Sequence, residues 1–373
     1  MAKTILITGG AGFIGSHLTD ELLEKGYRVR ILDNLDSQVH GAEQSRPAYL
    51  SPEAELVVGD LRNPEVVRKA LQRVDGVYHL AALVGVGQSM YQIGRYTEVN
   101  NCGTAVLLEA LSDHPVERIV VASSMSIYGE GLYQDENGDA VLAQDRSLCQ
   151  LKNKEWEVRG PGGNPLTPVP TPEWKTPTLA SVYALSKYDQ ERLCLITGRA
   201  YGIPTVALRF FNVYGTRQAL SNPYTGVLAI FASRLLNKKR PLIFEDGCQQ
   251  RDFVHVRDVA RACRLALESV HAEGHAINIG GGRPYTILEI ARRAAEALNC
   301  DSIEPEITGK YRVGDIRHCF ADISLARCLL RYEPEVDLHE GMQELAEWLE
   351  GQVAVDRAAE ASAELAARGL TVG

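Results

Sequence analysis

A tyrosine and a lysine four positions apart carry the residue types needed to move a proton to and from an alcohol. Tyr183 and Lys187 lie in a segment with helical character, so both side chains project from one face. A free phenol has a pKa of about 10, and ionising it near pH 7 requires about 4 kcal/mol of differential stabilisation, part of which a nearby ammonium group can supply. The spacing alone also fits an ordinary pair on a helix surface. The position of the pair in the chain has to distinguish a catalytic pair from a surface pair.

Hydroxyl groups follow a strand-like run earlier in the chain. The run Val120-Val121-Ala122 leads directly into Ser123 and Ser124. In an open parallel sheet, side chains at the carboxyl ends of strands face the crevice in which such folds bind ligands. This position favours a shared catalytic site for the serines, Tyr183 and Lys187.

The first strand-like run ends in a glycine-rich turn that fits a dinucleotide. Gly9, Gly12 and Gly15 stand after a strand and before a helix, so the backbone can approach a pyrophosphate at the helix N-terminus. The next strand ends at Asp33, whose carboxylate can accept hydrogen bonds from a ribose but would repel a 2′-phosphate. The turn therefore predicts NAD rather than NADP, with a tight turn that binds nothing as the structural alternative.

Other residues in this turn and at later strand ends are predicted to line the same cofactor. They are Phe13, Ile14, Asn34, Asp60, Leu61, Leu80, Ala81 and Ala82. Each position alone is weak evidence. Together they place the ligand along the carboxyl edge of one sheet.

The elements that must position these residues follow from hydrophobic patterning. Short apolar runs alternate with helical stretches from residue 3 to about residue 211, a pattern typical of β-α-β units. The predicted fold class is α/β, a Rossmann-type doubly wound parallel sheet with a smaller α/β substrate-binding lobe. The predicted strands are Thr4–Thr8, Arg28–Asp33, Glu55–Val58, Gly76–Leu80, Arg118–Ser123 and Thr205–Phe211, followed by shorter ones at 241–244, 252–256 and 276–279.

The same pattern predicts how the chain divides. Residues 1–211 and 251–280 are assigned to the NAD-binding domain, and 212–250 and 281–373 to the substrate-binding lobe with C-terminal helices. Residues 130–178 form an insertion whose prolines and glycines predict a long loop. A helix is predicted from about Leu338, behind Asp337 as its N-cap.

Composition excludes several classes of protein. The 373 residues carry a net charge of −9, which disfavours a nucleic-acid binder. No apolar run is long enough to cross a membrane. The eight cysteines lack metal or redox spacing and indicate free thiols in a reducing compartment. We therefore expect a cytoplasmic protein with no metal site and no nucleic-acid or membrane partner.

Several motifs, in the same order, resemble those of the extended short-chain dehydrogenase/reductase family, in particular its nucleotide-sugar epimerases. The resemblance covers nearly the whole chain. The matching stretches are Gly9–Gly15, His79–Ala82, Asn100–Thr104, Ser123–Gly129, Tyr183–Lys187, Arg209–Gly215, Arg251–Val256 and Arg312–Asp315.

The resemblance implies roles for individual residues. It makes Ser124, Tyr183 and Lys187 catalytic, with Lys187 also holding the nicotinamide ribose, and it adds Asn100 to the cofactor residues. The implied substrate, a nucleotide-diphosphate sugar, would contact Val84, Ser124, Ser126, Asn212, Arg251, Arg312 and Asp315. It also implies a homodimer that pairs helices around 93–111 and 183–201.

The residues after Ser124 distinguish among the reactions of the family. Dehydratases and decarboxylases that resemble this protein carry an acidic residue at one or both of the next positions, whereas this chain has Met125 and Ser126. Neither residue can transfer a proton as a carboxyl group does, which favours oxidation and reduction at one carbon. The resemblance therefore implies NAD-dependent 4-epimerisation through a 4-keto sugar, which makes the protein an isomerase.

Two substrate classes and one different kind of protein remain open. The run from Leu242 to Arg251 and the insertion are most similar to dTDP-L-rhamnose 4-epimerases, which interconvert dTDP-L-rhamnose and dTDP-6-deoxy-L-talose. UDP-sugar 4-epimerases, of the galactose/glucose or uronic acid type, are the alternative, although Val84 replaces a lysine of the UDP-galactose enzymes. A Rossmann protein that only senses NAD(H) is the non-enzymatic alternative, but retention of Ser124, Tyr183 and Lys187 argues against it.

Other candidate residues are predicted to be structural. Arg209 and Asp258 fit structural roles better than substrate contacts, and His79 and His255 lie within apolar runs that favour packed histidines. The insertion leads directly into the Tyr183 helix. We predict either a lid over the sugar or a surface decoration for it.

Overall fold

A sheet of seven parallel strands forms the centre of the computed structural model, which describes residues 2–312, 315–352 and 354–372. Across the sheet the strands follow the order Ala276–Ile279, Thr205–Phe210, Arg118–Ser124, Gly76–His79, Thr4–Thr8, Arg28–Asp33 and Glu55–Val58. The predicted Rossmann-type doubly wound fold is confirmed. Val313 and Gly314 of the predicted Arg312–Asp315 motif lie outside the described residues.

The pleat of the strands divides the apolar side chains between two cores. Ile5 and Ile7 pack into one core, whereas Leu6 packs into the other. Helices Phe13–Glu24 and Val256–Glu268 cover the first face, with Ser324–Leu330 beside them. The second face is covered by Pro64–Ala70, the π-helix Thr97–Cys102, Gly103–Asp113 and Val182–Tyr201.

A smaller lobe lies beyond the carboxyl ends of these strands. Its sheet contains Asn212–Tyr214, Gln250–His255, Pro284–Thr286 and His318–Cys319. Helices Val227–Leu236, Ile287–Ala297 and Leu338–Leu349 pack around its core. Asp337 caps the last of these by accepting a hydrogen bond from the backbone N–H of His339.

The course of the chain between the two lobes differs in one respect from the predicted division. The prediction assigned residues 251–280 to the NAD-binding domain, but the strand Gln250–His255 pairs within the small sheet. Only after His255 does the chain return to the large sheet, first with the helix Val256–Glu268 and then with the edge strand Ala276–Ile279. The strand is short and apolar, and its sequence does not indicate which sheet it joins.

The insertion, residues 130–178, contains more regular structure than the predicted loop. Strands Leu132–Gln134, Ala140–Leu142 and Thr167–Val169 form an antiparallel sheet, and Leu148–Lys152 is a short helix. Pro168 is tolerated because its strand lies at the edge of this sheet, where one side of the backbone needs no partner. Pro168 therefore restricts this strand to the edge of the sheet but does not prevent it from forming.

A cluster of buried charges holds the insertion against the small lobe. The Arg317 guanidinium is fully buried and donates to Glu245 at 2.9 Å and to Glu157 at 2.5 Å. Glu157 belongs to the insertion, and its hydrogen bond with His318 lowers its pKa to about 2. Because the half-exposed Glu157 carboxylate pairs with a fully buried guanidinium, the insertion is held against the small lobe.

The remaining elements are short or lie at the C-terminus. The helices are Ser37–His40, Val86–Ser89, Ile93–Tyr96, the 3₁₀ turn Met125–Tyr128 and Ala358–Ala367. The two remaining strand pairs are Leu242–Ile243 with Glu306–Ile307, and Tyr311–Arg312 with Thr371–Val372. None of the helices in the described ranges is both long and apolar enough to cross a membrane.

One buried ion pair joins the large sheet to the Tyr183 helix. Arg209, on the strand next to the edge of the large sheet, donates to both carboxylate oxygens of Glu191 at 2.9 and 2.7 Å. Glu191 also accepts a hydrogen bond from Ser123, and Arg209 donates to the hydroxyl of Tyr128 at 2.7 Å. The structural interpretation of Arg209 is thereby confirmed.

We expect the variant Glu191→Gln to lose about 3–5 kcal/mol of unfolding free energy, because it leaves the Arg209 guanidinium buried without a counter-charge. The double variant Arg209→Met/Glu191→Leu should lose less, since it removes both charges. Urea unfolding of the three proteins measures the difference. Glu333→Gln is a matched control that breaks the exposed Arg327–Glu333 pair and should cost only about 0–1 kcal/mol. Equal losses for Glu191→Gln and Glu333→Gln would contradict the prediction.

Candidate functional site

A cleft of about 730 Å³ runs along the carboxyl ends of the large sheet and continues under the small lobe. All but one of the predicted site residues line it. They are Gly9, Gly12, Phe13, Ile14, Gly15, Asp33, Asn34, Asp60, Leu61, Leu80, Ala81, Ala82, Val84, Ser124, Ser126, Tyr183, Lys187, Asn212, Arg251, Arg312 and Asp315. The exception is Asn100.

The glycine turn forms a cradle that side chains would fill. Gly9 has φ of +71°, and a Cβ there would lie 2.8 Å from the Cα of Ala81. A Cβ on Gly15 would lie 2.5 Å from the backbone of the turn itself. Gly12 is the N-cap of the following helix, and no described side chain caps that terminus. The first N–H groups of the helix therefore remain available to a pyrophosphate.

Two carboxylates lie at the adenosine end of the cleft. Asp33 accepts hydrogen bonds from the backbone of Ala11 at 3.0 Å and of Leu35 at 2.9 Å, and burial raises its pKa. Its remaining lone pairs can accept ribose hydroxyls. At Asp60, the hydrogen bond from Arg62 lowers the pKa and keeps the carboxylate charged. The glycine cradle and Asp33 thus fit a dinucleotide that carries a free 2′-hydroxyl.

The hydroxyl groups of Ser124 and Tyr183 meet in the cleft. Ser124 ends a central strand, and its Oγ accepts hydrogen bonds from the backbone N–H and the hydroxyl of Ser126 at 3.2 and 2.9 Å. Tyr183 lies in the first turn of the helix Val182–Tyr201, which is capped by Ser181. The Ser124 side chain lies close enough to the Tyr183 hydroxyl to lower its pKa. Residues 59 positions apart in the sequence (183 − 124 = 59) therefore form one unit.

Burial opposes ionisation of both members of the tyrosine–lysine pair. It raises the pKa of the Tyr183 hydroxyl, against the lowering effect of Ser124, and it lowers the pKa of Lys187 to about 8. Lys187 donates to Gln190 Oε1 at 2.6 Å, and the Gln190 amide donates to the carbonyl of Ala81 at 3.2 Å. The lysine is thus held beside the predicted cofactor edge. A positively charged nicotinamide bound there would favour the tyrosine anion.

Asn100 holds a loop instead of lining the cleft. The residue is fully buried, and its side-chain amide bonds the backbone N–H and C=O of Leu83 at 2.7 and 3.1 Å. It also donates to Ser186 at 2.9 Å, and Ser186 in turn donates to the carbonyl of Tyr183. Because its polar atoms are already paired, the structure does not support Asn100 as a direct cofactor contact. It joins the loop after the fourth strand to the Tyr183 helix.

Arg251 lies at the far end of the cleft. Its guanidinium donates to the backbone carbonyls of Gln250 and Arg317, at 2.9 and 3.0 Å, and to that of Ile316. Its Nη2 is 3.7 Å from a carboxylate oxygen of Asp315. These contacts fix the orientation of the group and leave its Nε–H and one Nη2–H available for an anionic ligand.

Arg312 and Asn212 flank Arg251 in the lining. The Arg312 guanidinium lies over the Phe244 ring, 4.2 Å from its centroid, which holds it by a cation–π contact. The Asn212 amide donates to the backbone carbonyl of Asp252 at 3.0 Å. The structure therefore brings two arginines and an amide donor together at this end, as the binding of a diphosphate requires.

The insertion is neither a lid over the sugar nor a surface decoration. Among the described residues, none between 130 and 178 lines the cleft, so the insertion is not a lid over the sugar. It is also more than a decoration, because Arg146 pairs with Glu245 at 2.8 Å and donates to the backbone carbonyl of Asp315 at 3.1 Å. The insertion therefore supports the diphosphate end from outside.

Sequence reasoning missed two sets of residues that belong to the site. Gln190 could have been found from its position three residues after Lys187 on the same helix. Four residues of the C-terminal helix also line the cleft, and no sequence signal places them there: Ala358, Ala361, Ser362 and Leu365.

The residues predicted to be structural are held by protein contacts. His79 is fully buried and shares hydrogen bonds with Thr8 and Thr104, each at 2.8 Å. Asp258 accepts hydrogen bonds from the backbone N–H groups of Glu335 and Val336. Across the ranges that the structure describes, no group of three or more His, Cys, Asp or Glu side chains is arranged to hold a metal ion.

Comparisons with known proteins agree with this geometry. The model of the NAD dependent epimerase/dehydratase family matches residues 5–147 and 160–280. A dTDP-L-rhamnose 4-epimerase of Burkholderia thailandensis is 36% identical over 353 residues, which are 93% of this chain and 95% of the relative.

Solved structures extend the similarity to the fold. A Thermus thermophilus UDP-glucose 4-epimerase in complex with NAD is 31% identical with a TM-score of 0.73, over 94% of this chain and 100% of the other. A Bacillus cereus UDP-glucuronic acid 4-epimerase, in complex with UDP-glucuronic acid and NAD, is 29% identical with a TM-score of 0.73, over 93% and 99%. The chain therefore belongs to the NAD-dependent epimerase/dehydratase family and, within it, to the nucleotide-sugar 4-epimerases, which are isomerases that use NAD as cofactor.

Proposed function

We propose that this protein interconverts the C4 epimers of a dTDP-6-deoxy-L-hexose, dTDP-L-rhamnose and dTDP-6-deoxy-L-talose. The observation that carries the reaction is the grouping of Ser124, Tyr183 and Lys187 at the cofactor edge, away from the carboxylates among the described residues that line the cleft. The identity of 36% with a dTDP-L-rhamnose 4-epimerase supports the substrate. A UDP-sugar is the second candidate, because solved epimerases of UDP-sugars share the fold over nearly the whole chain.

The residues of the chain bind and orient the cofactor. The glycine cradle and the helix N-terminus after it hold the pyrophosphate, Asp33 accepts hydrogen bonds from a ribose, and Lys187 holds the nicotinamide ribose. When bound, NAD supplies the acceptor, and then the donor, of the hydride at sugar C4. The reaction would therefore consume no external reductant.

Tyr183 and Ser124 manage the proton at sugar O4. Tyr183 takes the hydroxyl proton as C4 is oxidised and returns it as C4 is reduced, while the Ser124 hydroxyl orients the same oxygen. Burial raises the pKa of Tyr183 and lowers that of Lys187, so further positive charge beside the pair would favour the tyrosine anion. Proton removal is thereby coupled to the oxidised state of the cofactor.

The distribution of carboxylates favours epimerisation over elimination. Among the described residues that line the cleft, the acids are Asp33, Asp36, Asp60 and Asp315. They lie at the ribose and diphosphate ends, and Ser124 is followed by Met125 and Ser126. An elimination needs an acid or base at a neighbouring sugar carbon. The cleft provides acid–base chemistry at one sugar position and enough volume for a 4-keto sugar to present its other face.

We also propose a homodimer formed through the Tyr183 helix. Leu185, Leu193 and Ile196 are exposed on this helix, and Ile93 is exposed at the start of the neighbouring helical segment. The first three recur at helical spacing and form one apolar stripe. A second copy of the same helix would remove this stripe from water.

We expect Tyr183→Phe to lower kcat by about 10²–10⁴-fold, because the variant keeps the ring but lacks the group that transfers the proton. Products are identified by NMR from dTDP-L-rhamnose, and bound NAD is quantified after denaturation. Tyr201→Phe, on the exposed end of the same helix, is the matched control and should keep full activity. An active Tyr183→Phe enzyme would exclude the proposed role of Tyr183. A protein that only senses NAD(H) would keep its function in this variant, and that result would also exclude the role.

In D₂O, we expect the wild-type enzyme to interconvert the epimers without added reductant and without deuterium at sugar C3 or C5. Oxidation at C4 leaves the neighbouring carbon–hydrogen bonds unbroken, whereas an enolisation mechanism exchanges them with solvent. Mass spectrometry and NMR of the recovered sugar distinguish the two results. Deuterium at C3 or C5 would overturn the 4-keto hydride mechanism.

We expect Arg251→Ala to raise the KM for the nucleotide sugar by about 10–100-fold while NAD remains bound, because it removes a charged hydrogen-bond donor at the diphosphate end. The matched control is Arg292→Ala, which removes an exposed arginine of the small lobe. Initial rates at several substrate concentrations give KM for both variants. An unchanged KM in Arg251→Ala would remove this residue from the binding site.

A further inference from the structure

We propose that the C-terminal segment, residues 354–372, forms one wall of the sugar-binding end of the cleft, and that Ser362 and Leu365 contact the sugar. This inference rests on the proposed function, because it takes the ligand at this end of the cleft to be the sugar of a nucleotide-diphosphate sugar. The C-terminal segment then covers the sugar, which is the role that one of the two predictions gave to the insertion.

One face of the C-terminal helix, Ala358–Ala367, is turned to the cleft. Ala358, Ala361, Ser362 and Leu365 line the cavity, and their spacing of i, i+3, i+4 and i+7 defines a single helical face. The opposite face is exposed at Ala363 and Ala366. The side chains that reach the cavity are small or apolar, apart from one hydroxyl group.

This face lies close to the catalytic tyrosine. A Cβ on Gly87 would be 3.2 Å from both methyl groups of Leu365, so the leucine packs directly on the turn Val86–Ser89. Ser89 accepts a hydrogen bond from the backbone N–H of Tyr183 at 3.0 Å. One short turn therefore separates Leu365 from the residue that is proposed to act on the sugar oxygen.

Polar contacts hold the helix over the cleft. The Tyr91 hydroxyl lies 2.6 Å from that of Tyr224 and donates to Glu364 at 3.1 Å. The Arg368 guanidinium lies 4.5 Å from the centroid of the Tyr91 ring and pairs with Glu364. Tyr91 follows the helix Val86–Ser89 of the large lobe and Tyr224 precedes the helix Val227–Leu236 of the small lobe, so the C-terminal helix contacts both lobes.

The two ends of the segment are also attached. Before the helix, Asp356 is buried and pairs with Arg234 at 3.3 Å and Lys239 at 2.9 Å. After it, the strand Thr371–Val372 pairs with Tyr311–Arg312. Because Arg312 lies at the diphosphate end, the segment reaches from the small lobe, across the sugar end, to a phosphate-binding residue. Its position is therefore sensitive to a ligand that fills both ends.

The composition of the face indicates which sugars it suits. Alanine and leucine side chains present methyl groups and cannot replace the water lost by a carboxylate or hydroxymethyl group. The methyl group of a 6-deoxy sugar loses no hydrogen bonds when it contacts them. Leu365 and its alanine neighbours thus favour a 6-deoxyhexose, and Ser362 can bond one ring hydroxyl.

The test places the same bulky residue on the two faces of the helix. We expect Ser362→Phe to raise the KM for dTDP-L-rhamnose about tenfold or more, with bound NAD unchanged, because the ring occupies space meant for the sugar. The matched control Ala366→Phe adds the same ring to the exposed face and should leave KM within about twofold. An equal KM in both variants, or loss of NAD in place of a raised KM, would overturn the proposal.

Amide hydrogen exchange of the wild-type holoenzyme tests the same proposal without a variant, so it applies even if a variant misfolds. Amides of residues 358–372 should exchange more slowly with dTDP-L-rhamnose bound than with dTDP bound, because only the former fills the sugar end. Equal exchange with the two ligands would show that the segment does not face the sugar. If the enzyme turns over a UDP-sugar instead, the proposed substrate fails, and the same comparison with that sugar and UDP tests the wall separately.

Discussion

The geometry of the site depends on the buried ion pair between Arg209 and Glu191. Arg209 belongs to the large sheet and Glu191 to the helix that carries Tyr183 and Lys187, so their two hydrogen bonds fix the helix on the sheet. Glu191 also accepts from Ser123, the neighbour of Ser124. In a low-dielectric interior such charges are costly unless paired, so small displacements are penalised. This constraint keeps the Ser124 and Tyr183 side chains beside each other in the cleft.

The two lobes meet across the cleft, and the insertion and the C-terminal helix support them in different ways. The insertion binds the small lobe through Arg317 and Glu157 and supports Asp315 through Arg146, yet it stays outside the cleft. The C-terminal helix contacts both sides of the cleft and lines it with Leu365 and its neighbours. One segment therefore stabilises the binding residues, and the other helps to define the volume in which the ligand lies.

Electrostatics explain how an acidic protein can accommodate an anionic substrate. The net charge of −9 is distributed over the whole chain, while Arg251 and Arg312 are held in place at one end of the cleft by backbone carbonyls and an aromatic ring. At the Tyr183 end, burial raises the pKa of the tyrosine, and a positive charge bound beside it would favour the anion. For binding an anionic substrate, fixed local charges thus matter more than the net charge of the chain, since the free-energy cost of orienting them is met during folding.

Local patterns in the sequence determined the large sheet, the glycine cradle and the Tyr183/Lys187 pair. Apolar runs and helical patterning depend on neighbouring residues, and close backbone approaches require glycine at Gly9 and Gly15. The sequence also determined that Arg251 and Arg312 would stand at one end of the site, because each lies in a motif whose order matches the family. Tertiary structure alone decided that Asn100 holds Leu83, that Gln250–His255 joins the small sheet and that the insertion lies outside the cleft. It also decided that Leu365 lies on Gly87, since these contacts join residues far apart in the chain whose pairing no local pattern records.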